Sequence, residues 1–187
     1  MTKIAELAHR RPARADARRN YDKLIGTARE TFAELGTGAP LEEIARRAEV
    51  GIATLYRNFP TREALIEAIY FEEVEAVRDA ARDVAGQEPW EALAAWLDRF
   101  VVYVGTKKAL IEGINREGFA FQSCREVLWA AGEPLLLRAQ AAKTVRSDVT
   151  IDDVLRLVGG IAMVGYGSWE QRKHVLSIAL DGLRLKR

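Results

Sequence analysis

The apolar residues of this chain recur with a helical period along almost its whole length, and no other feature limits the fold as strongly. Leu24, Ala28, Phe32 and Leu35 keep helical spacing up to Gly36, a natural stop. Leu41, Ile44, Ala45 and Ala48 follow the i, i+3, i+4, i+7 pattern of one helix face, with Pro40 ahead of them where proline is tolerated. After the short break Glu49-Val50-Gly51, Leu55 and Phe59 stand one turn apart, and Pro60 ends the run. Thr61 is placed to cap a fourth helix, with Glu63 in its first turn, Leu65 and Ile69 on its face and an expected end near Val84. Gly86 and Pro89 mark a boundary, and Trp90, Leu93, Leu97, Val101 and Val104 predict another helix. Asn115 to Gly118 and Gly132 to Pro134 read as breaks. Asp148 or Thr150 would cap a helix from Ile151 to about Val164. Gly165-Tyr166-Gly167 reads as a turn, and the last helix is expected from Trp169 to Leu185. No stretch alternates as a strand with hairpin signals, so the expected fold class is all-α.

The same residues narrow the possible chemistry. A chain of 187 residues can bury a real core, as one large domain or two small ones. The single cysteine, Cys124, excludes an intrachain disulfide, and His9 and His174 are too far apart in sequence to suggest a zinc site. No nucleophile–histidine set, metal cluster or phosphate loop is present, so neither an enzyme nor a cofactor is expected. Gly159-Gly160 fails as a nucleotide loop because no strand precedes it. The start lacks the apolar run of a secretory signal. The most apolar stretch, Val154 to Gly167, contains Arg156 and falls short of the roughly 20 residues that span a bilayer. A soluble, cytoplasmic protein with no membrane partner is expected. Net charge is only +1, yet Lys3, Arg10, Arg11, Arg14, Arg18 and Arg19 face only Glu6 and Asp16 in the first stretch. That segment reads as an arm for a polyanion or as a solvated tail.

The segment from Pro40 to Tyr70 holds two short helices joined by a three-residue turn, then a longer helix. In a helix-turn-helix the first helix braces the second, which lies in the major groove of DNA and presents side chains to base edges. Leu41, Ile44, Ala45 and Ala48 supply the face that holds the brace. In the next helix Leu55 and Phe59 point one way, while Thr54, Arg57 and Asn58 point elsewhere. Arginine reads guanine and asparagine reads adenine through paired hydrogen bonds, each worth roughly 1–3 kcal/mol of discrimination. Tyr56 and Arg62 suit phosphate contacts, which fix position but not sequence. A merely solvated Arg57 and a core Tyr56 are the plainer alternatives.

Leu41-Glu-Glu-Ile-Ala-Arg-Arg-Ala, then Thr54-Leu-Tyr-Arg-Asn-Phe, then Arg62-Glu-Ala-Leu resemble the DNA-binding domain of the TetR family of regulators. The preceding helix, with Arg19, Ala28, Phe32 and Gly36, is similar too, and the likeness covers about residues 15 to 70. The resemblance implies an N-terminal arm and helix-turn-helix DNA-binding domain over residues 1–61, and a helical effector-binding and dimerisation domain over 62–187. By position in the motif, Ile52, Ala53, Thr54 and Arg57 would approach bases. Tyr56, Asn58 and Arg62 would approach phosphates or bases, and Arg18 and Arg19 would steady the DNA backbone. The implied function is a ligand-responsive repressor, a homodimer on a roughly palindromic double-stranded DNA operator. The alternative is a DNA-binding regulator with no small-molecule effector. Family members often carry Gly where this chain has Glu49, and Ser or Thr near Gly51. A left-handed Glu49 would cost on the order of 1–2 kcal/mol.

In the second half, Val154, Leu155, Leu157, Val158, Ile161 and Ala162 surround their helix on most sides, as in a buried helix. Its expected partner is the last helix, with Leu176, Ala179, Leu180 and Leu183. The resemblance implies that these two helices from each subunit form a four-helix dimer interface. Val154, Leu157, Val158, Ile161, Leu176, Ala179, Leu180 and Leu183 would contribute to it, with Gly159 and Gly160 permitting close approach. Between about Trp90 and Trp129 aromatics accumulate: Trp96, Phe100, Tyr103, Phe119, Phe121 and Trp129. They read either as ordinary core or, as the resemblance implies, as the lining of a cavity for a small, mostly apolar effector.

Overall fold

The computed structural model describes residues 11–110 and 119–185. The expected break at Asn115 to Gly118 lies outside the described residues, as do the side chains of Phe119 and Phe121. The elements are all helical: α1 Ala15–Leu35, α2 Leu41–Arg47, α3 Ile52–Asn58, α4 Arg62–Asp83, α5 Pro89–Leu110, α6 Phe119–Ala141, α7 Ile151–Met163 and α8 Trp169–Leu183. Among the described residues there is no strand, only an isolated bridge between Val145 and Arg184. The chain divides into two compact units. Within the described residues the first comprises 11–73, 106–110 and 119–124, and the second 74–105 and 125–185.

The core of the first unit is the set of residues whose spacing announced its helices. Leu24, Ala28 and Phe32 of α1, Ile44 of α2, Leu55 of α3, and Leu65 and Ile69 of α4 form one cluster, each essentially withdrawn from solvent. Full burial of such a side chain is worth about 1.5–3 kcal/mol, so this cluster fixes the mutual arrangement of the short helices. α1 starts at Ala15, earlier than the apolar period showed, because Ala15 to Asn20 has no large apolar side chain to reveal a face, while its two alanines and two arginines favour the helix. Glu73 of α4 is buried and paired with Arg29 of α1 at 2.8 Å.

In the second unit, Trp96 is fully buried and donates its indole N–H to the Val77 carbonyl at 2.9 Å. The expected break at Gly132 to Pro134 is corrected: both residues lie inside α6. Gly132 is there because the Trp96 ring packs onto its backbone, and a Cβ would stand 2.6 Å from Trp96 Cζ3. Pro134 deprives the Ala130 carbonyl of its helical donor, but both residues are exposed, so water can take the donor's place. Thr150 caps α7 in a reciprocal pair with Asp153, and Ser168 caps α8. α8 ends at Leu183 rather than Leu185, because Leu185 donates its N–H to the Thr144 carbonyl at 3.1 Å. α7 is buried on one side only in the single chain: Val154, Leu155 and Val158 are enclosed, whereas Leu157, Met163 and Val164 are exposed.

Candidate nucleic-acid interface

The join between α2 and α3 sets how the second of these helices is presented. α2 ends in a double hydrogen-bonded turn: the Val50 N–H bonds to the Ala45 carbonyl at 2.9 Å and the Glu49 N–H to Arg46 at 3.1 Å. This closure needs a left-handed residue between the two, and Glu49 takes that role with φ 55°. Its carboxylate stands 3.8 Å from Lys23 of α1. Val50 is buried behind the turn, and Gly51 then starts α3.

α2 is braced on α1 by charge as well as by its apolar face. Arg47 reaches Glu34 of α1 at 2.7 Å and Glu43 of its own helix at 2.7 Å, and Arg46 binds Glu43 at 2.8 Å. Hydrogen bonds from Arg46 and then Arg47 lower the Glu43 carboxyl to about 2. The Glu43, Arg46 and Arg47 spacing of three and four residues carries this signal in the sequence, although the partner on α1 does not follow from it. Neither the brace nor the Arg29–Glu73 pair figures among the residues that motif reading singled out.

α3 is held by one fully buried side chain, Leu55, and by Phe59 at its end, whose ring lies 5.1 Å from that of Tyr21. The opposite face carries Ile52, Ala53, Tyr56 and Arg57, all exposed, so Tyr56 is not a core aromatic. Thr54 and Asn58 are half-buried. The Arg57 Nη2 donates to Thr54 Oγ1 at 3.1 Å and the Asn58 amide to the Thr54 carbonyl at 2.7 Å. Arg62 lies apart from this face in its bonding: its Nη1 donates to the carbonyls of Thr37 (2.8 Å) and Ala39 (2.5 Å) and fastens the loop before α2. Arg18 and Arg19 are exposed on the first turns of α1, where Arg19 pairs with Asp16. Ile52, Ala53, Thr54, Tyr56, Arg57 and Asn58 therefore share one short helix, while Arg18, Arg19 and Arg62 come from other elements. An exposed helix face with a guanidinium and a phenol, propped on a buried leucine, can donate hydrogen bonds to base edges and phosphates.

Two family models match the chain. The tetR family model of bacterial regulatory proteins matches residues 24–69, and a model for the C-terminal domain of SbtR-like transcriptional regulators matches residues 88–185. A solved TetR transcriptional regulator from Streptomyces coelicolor is 38% identical over 89% of this chain and 99% of its own, with a TM-score of 0.79. The chain belongs to the TetR family. A TetR transcription regulatory protein from Mycobacterium vanbaalenii is 34% identical over 93% of this chain and 100% of its own, with a TM-score of 0.75. Among curated protein sequences none matches. As a TetR-family member, the protein is a DNA-binding transcriptional regulator and not an enzyme. Among the described residues no helix is long and apolar enough to cross a membrane.

The aromatic cluster and the second pair of helices separate into inner and outer parts. Trp96, Phe100 and Tyr103 are buried in series, Trp96 stacked on Phe100 and Phe100 tilted against Tyr103, with ring centroids 6.1 and 5.6 Å apart. Trp129 is half-buried, donates to Asp152 at 2.9 Å and lies under the Arg125 guanidinium. Val154, Val158, Leu176 and Leu183 close the chain's own core. Leu157 is exposed, and Ile161, Ala179 and Leu180 are half-buried.

Proposed function

We propose that this TetR-family regulator is a ligand-responsive repressor, acting as a homodimer on a roughly palindromic operator. The observation that carries the reading is the α3 face, where Ile52, Ala53, Tyr56 and Arg57 stand exposed above a buried Leu55. In this reading residues 1–61 bind DNA and 62–187 bind the effector and the second subunit. Arg57 and Thr54 approach bases with Ile52 and Ala53 beside them. Tyr56, Asn58 and Arg62 approach phosphates or base edges, and Arg18 and Arg19 steady the DNA backbone. The two recognition helices of the dimer are spaced by about one turn of DNA, roughly 34–36 Å. Support for the dimer comes from α7 and α8, where Leu157, Val164 and Ile178 expose apolar surface that a single chain leaves in water. Ligand acts by binding more tightly to dimers whose heads no longer match that spacing, with the continuous helix α4 as the lever.

The test is binding to genomic fragments, including the protein's own promoter, at several salt concentrations. A tight site that survives physiological salt and loses base discrimination in Arg57→Ala supports the reading. Weak, sequence-blind binding that salt abolishes overturns it.

A further inference from the structure

Of the aromatic cluster, Trp96, Phe100 and Tyr103 are each almost wholly buried, with successive ring centroids 6.1 and 5.6 Å apart. The second unit also holds a groove of about 550 Å³, between the C-terminal half of α4 and α6. Its floor is apolar, made by Ala81, Val127, Ala131, Pro134 and Leu135. Its rim carries three guanidinium groups, Arg78, Arg82 and Arg138. The volume falls in the range of small-molecule sites, roughly 300–1,000 Å³.

The charges on that rim do not cancel. Arg78 pairs with Glu75 and Asp79, and Arg82 shares Asp79 at 3.0 Å. Arg138 has no carboxylate partner among the described residues: it donates to the carbonyls of Ala85 and Gln87, and its Nε is buried without a hydrogen-bond partner. Three cations set against two anions leave one positive charge beside an apolar floor. Arg82 gives only its Nη1 to Asp79, and a planar guanidinium with donors left over is matched by a carboxylate, which it can bind through two parallel hydrogen bonds. A neutral apolar ligand would cover the floor and leave the rim charge as it was. A cationic one would add to it.

We propose that this groove binds a monocarboxylate with an apolar body, its carboxylate on the arginine rim and its body along the floor. The inference rests on the ligand-responsive reading above and gives that effector a chemical class: apolar over most of its surface, with one negative charge. Because Arg78, Ala81 and Arg82 belong to α4, the ligand touches the same helix that begins at Arg62.

The experiment is calorimetric titration of the full chain with decanoate, and with decanol and decylammonium as neutral and cationic counterparts. Decanoate is expected to bind at least tenfold more tightly than either. Arg82→Gln is expected to weaken decanoate about tenfold, the scale of a lost charge-assisted hydrogen bond, and to leave decanol unchanged. Ala130→Trp, which fills the groove from an exposed position, is expected to abolish decanoate binding while thermal unfolding stays that of a folded protein. Absence of decanoate binding, equal affinity for decanol, or decanoate affinity untouched by both substitutions overturns the assignment. Operator release is read separately. Decanoate that binds in this pattern without weakening the operator complex leaves the groove assigned and removes the ligand-responsive reading instead.

Discussion

Glu49 is the residue at which this chain departs most visibly from what its local backbone asks for. A left-handed C′ position is the natural place of glycine, and a side chain there costs on the order of 1–2 kcal/mol. The exposed Lys23 contact at 3.8 Å offsets little of that, because surface pairs contribute roughly 0–1 kcal/mol. Glu49→Gly is therefore expected to stabilise the protein by about 1 kcal/mol in urea unfolding, after the extra freedom glycine gives the unfolded chain is subtracted. Glu49→Ala keeps the strain and is expected to give no gain, which separates backbone relief from loss of charge. Glu43 gives the second residue-scale expectation. Its carboxyl is lowered from 4.5 to about 2 by Arg46 and Arg47. A depressed folded value means the contribution is complete above the ordinary glutamate value and is lost as pH falls through about 2. The Glu43 carboxyl resonance should titrate with a midpoint near 2, and Arg47→Gln should move that midpoint upward. A midpoint that stays put in the variant would remove Arg47 from the causes of the lowered Glu43 carboxyl.

Helices make their own test of packing against propensity. Gly26 and Gly132 both lie inside helices, and propensity alone predicts a gain of about 1 kcal/mol on replacing either with alanine. A Cβ at Gly26 meets nothing within 4 Å, so Gly26→Ala should raise stability by about 0.5–1 kcal/mol. At Gly132 it would press on Trp96 and stand 2.8 Å from Ile151 Cδ1, and the Trp96 ring is tethered to Val77. Gly132→Ala should therefore lower stability by about 1–3 kcal/mol, the usual cost of overpacking. Opposite shifts in thermal midpoint check both, and a stabilised Gly132→Ala would mean the ring is not seated as described. The same pair shows how far helices are legible in sequence. Periodicity exposes a helix wherever one face is buried, which is why α2, α3, α4 and α5 follow from leucine and isoleucine spacing. It misses the start of α1, which has no apolar face there. It misreads the middle of α6, where glycine answers to a tryptophan 36 positions earlier. The α3 face was legible because Leu55 and Phe59 fix its orientation. Arg62's hold on Thr37 and Ala39, and Arg47's on Glu34, were not, since long-range pairing leaves no local pattern.

At the scale of the whole molecule, the proposed dimer is tested through the apolar surface of α7 and α8. Leu157, Met163, Val164, Trp169 and Ile178 are between 37% and 59% exposed, and a lone subunit would present them all to water. Val154 and Val158 sit behind that surface in the subunit's own core, so the helix can be anchored and still offer its outer side. Gly160 lies on the outer side with nothing within 4 Å of its Cβ position, which leaves room for a neighbouring backbone. Converting Leu157 and Ile178 together to aspartate places two charges per subunit in that surface. A buried unpaired charge is far more costly than an exposed one, so association should fail while each chain stays folded. Sedimentation is expected to show a dimer for the unaltered protein and a monomer for the double variant, with unchanged helical circular dichroism. Operator affinity should fall with it, because a single head contacts half the bases and loses the gain that comes from tethering two heads to one site. A double variant that remains dimeric would assign the interface to another surface. A monomer that still binds the operator as tightly as the dimer would show that one head suffices, and the palindromic half-site arrangement would have to be given up.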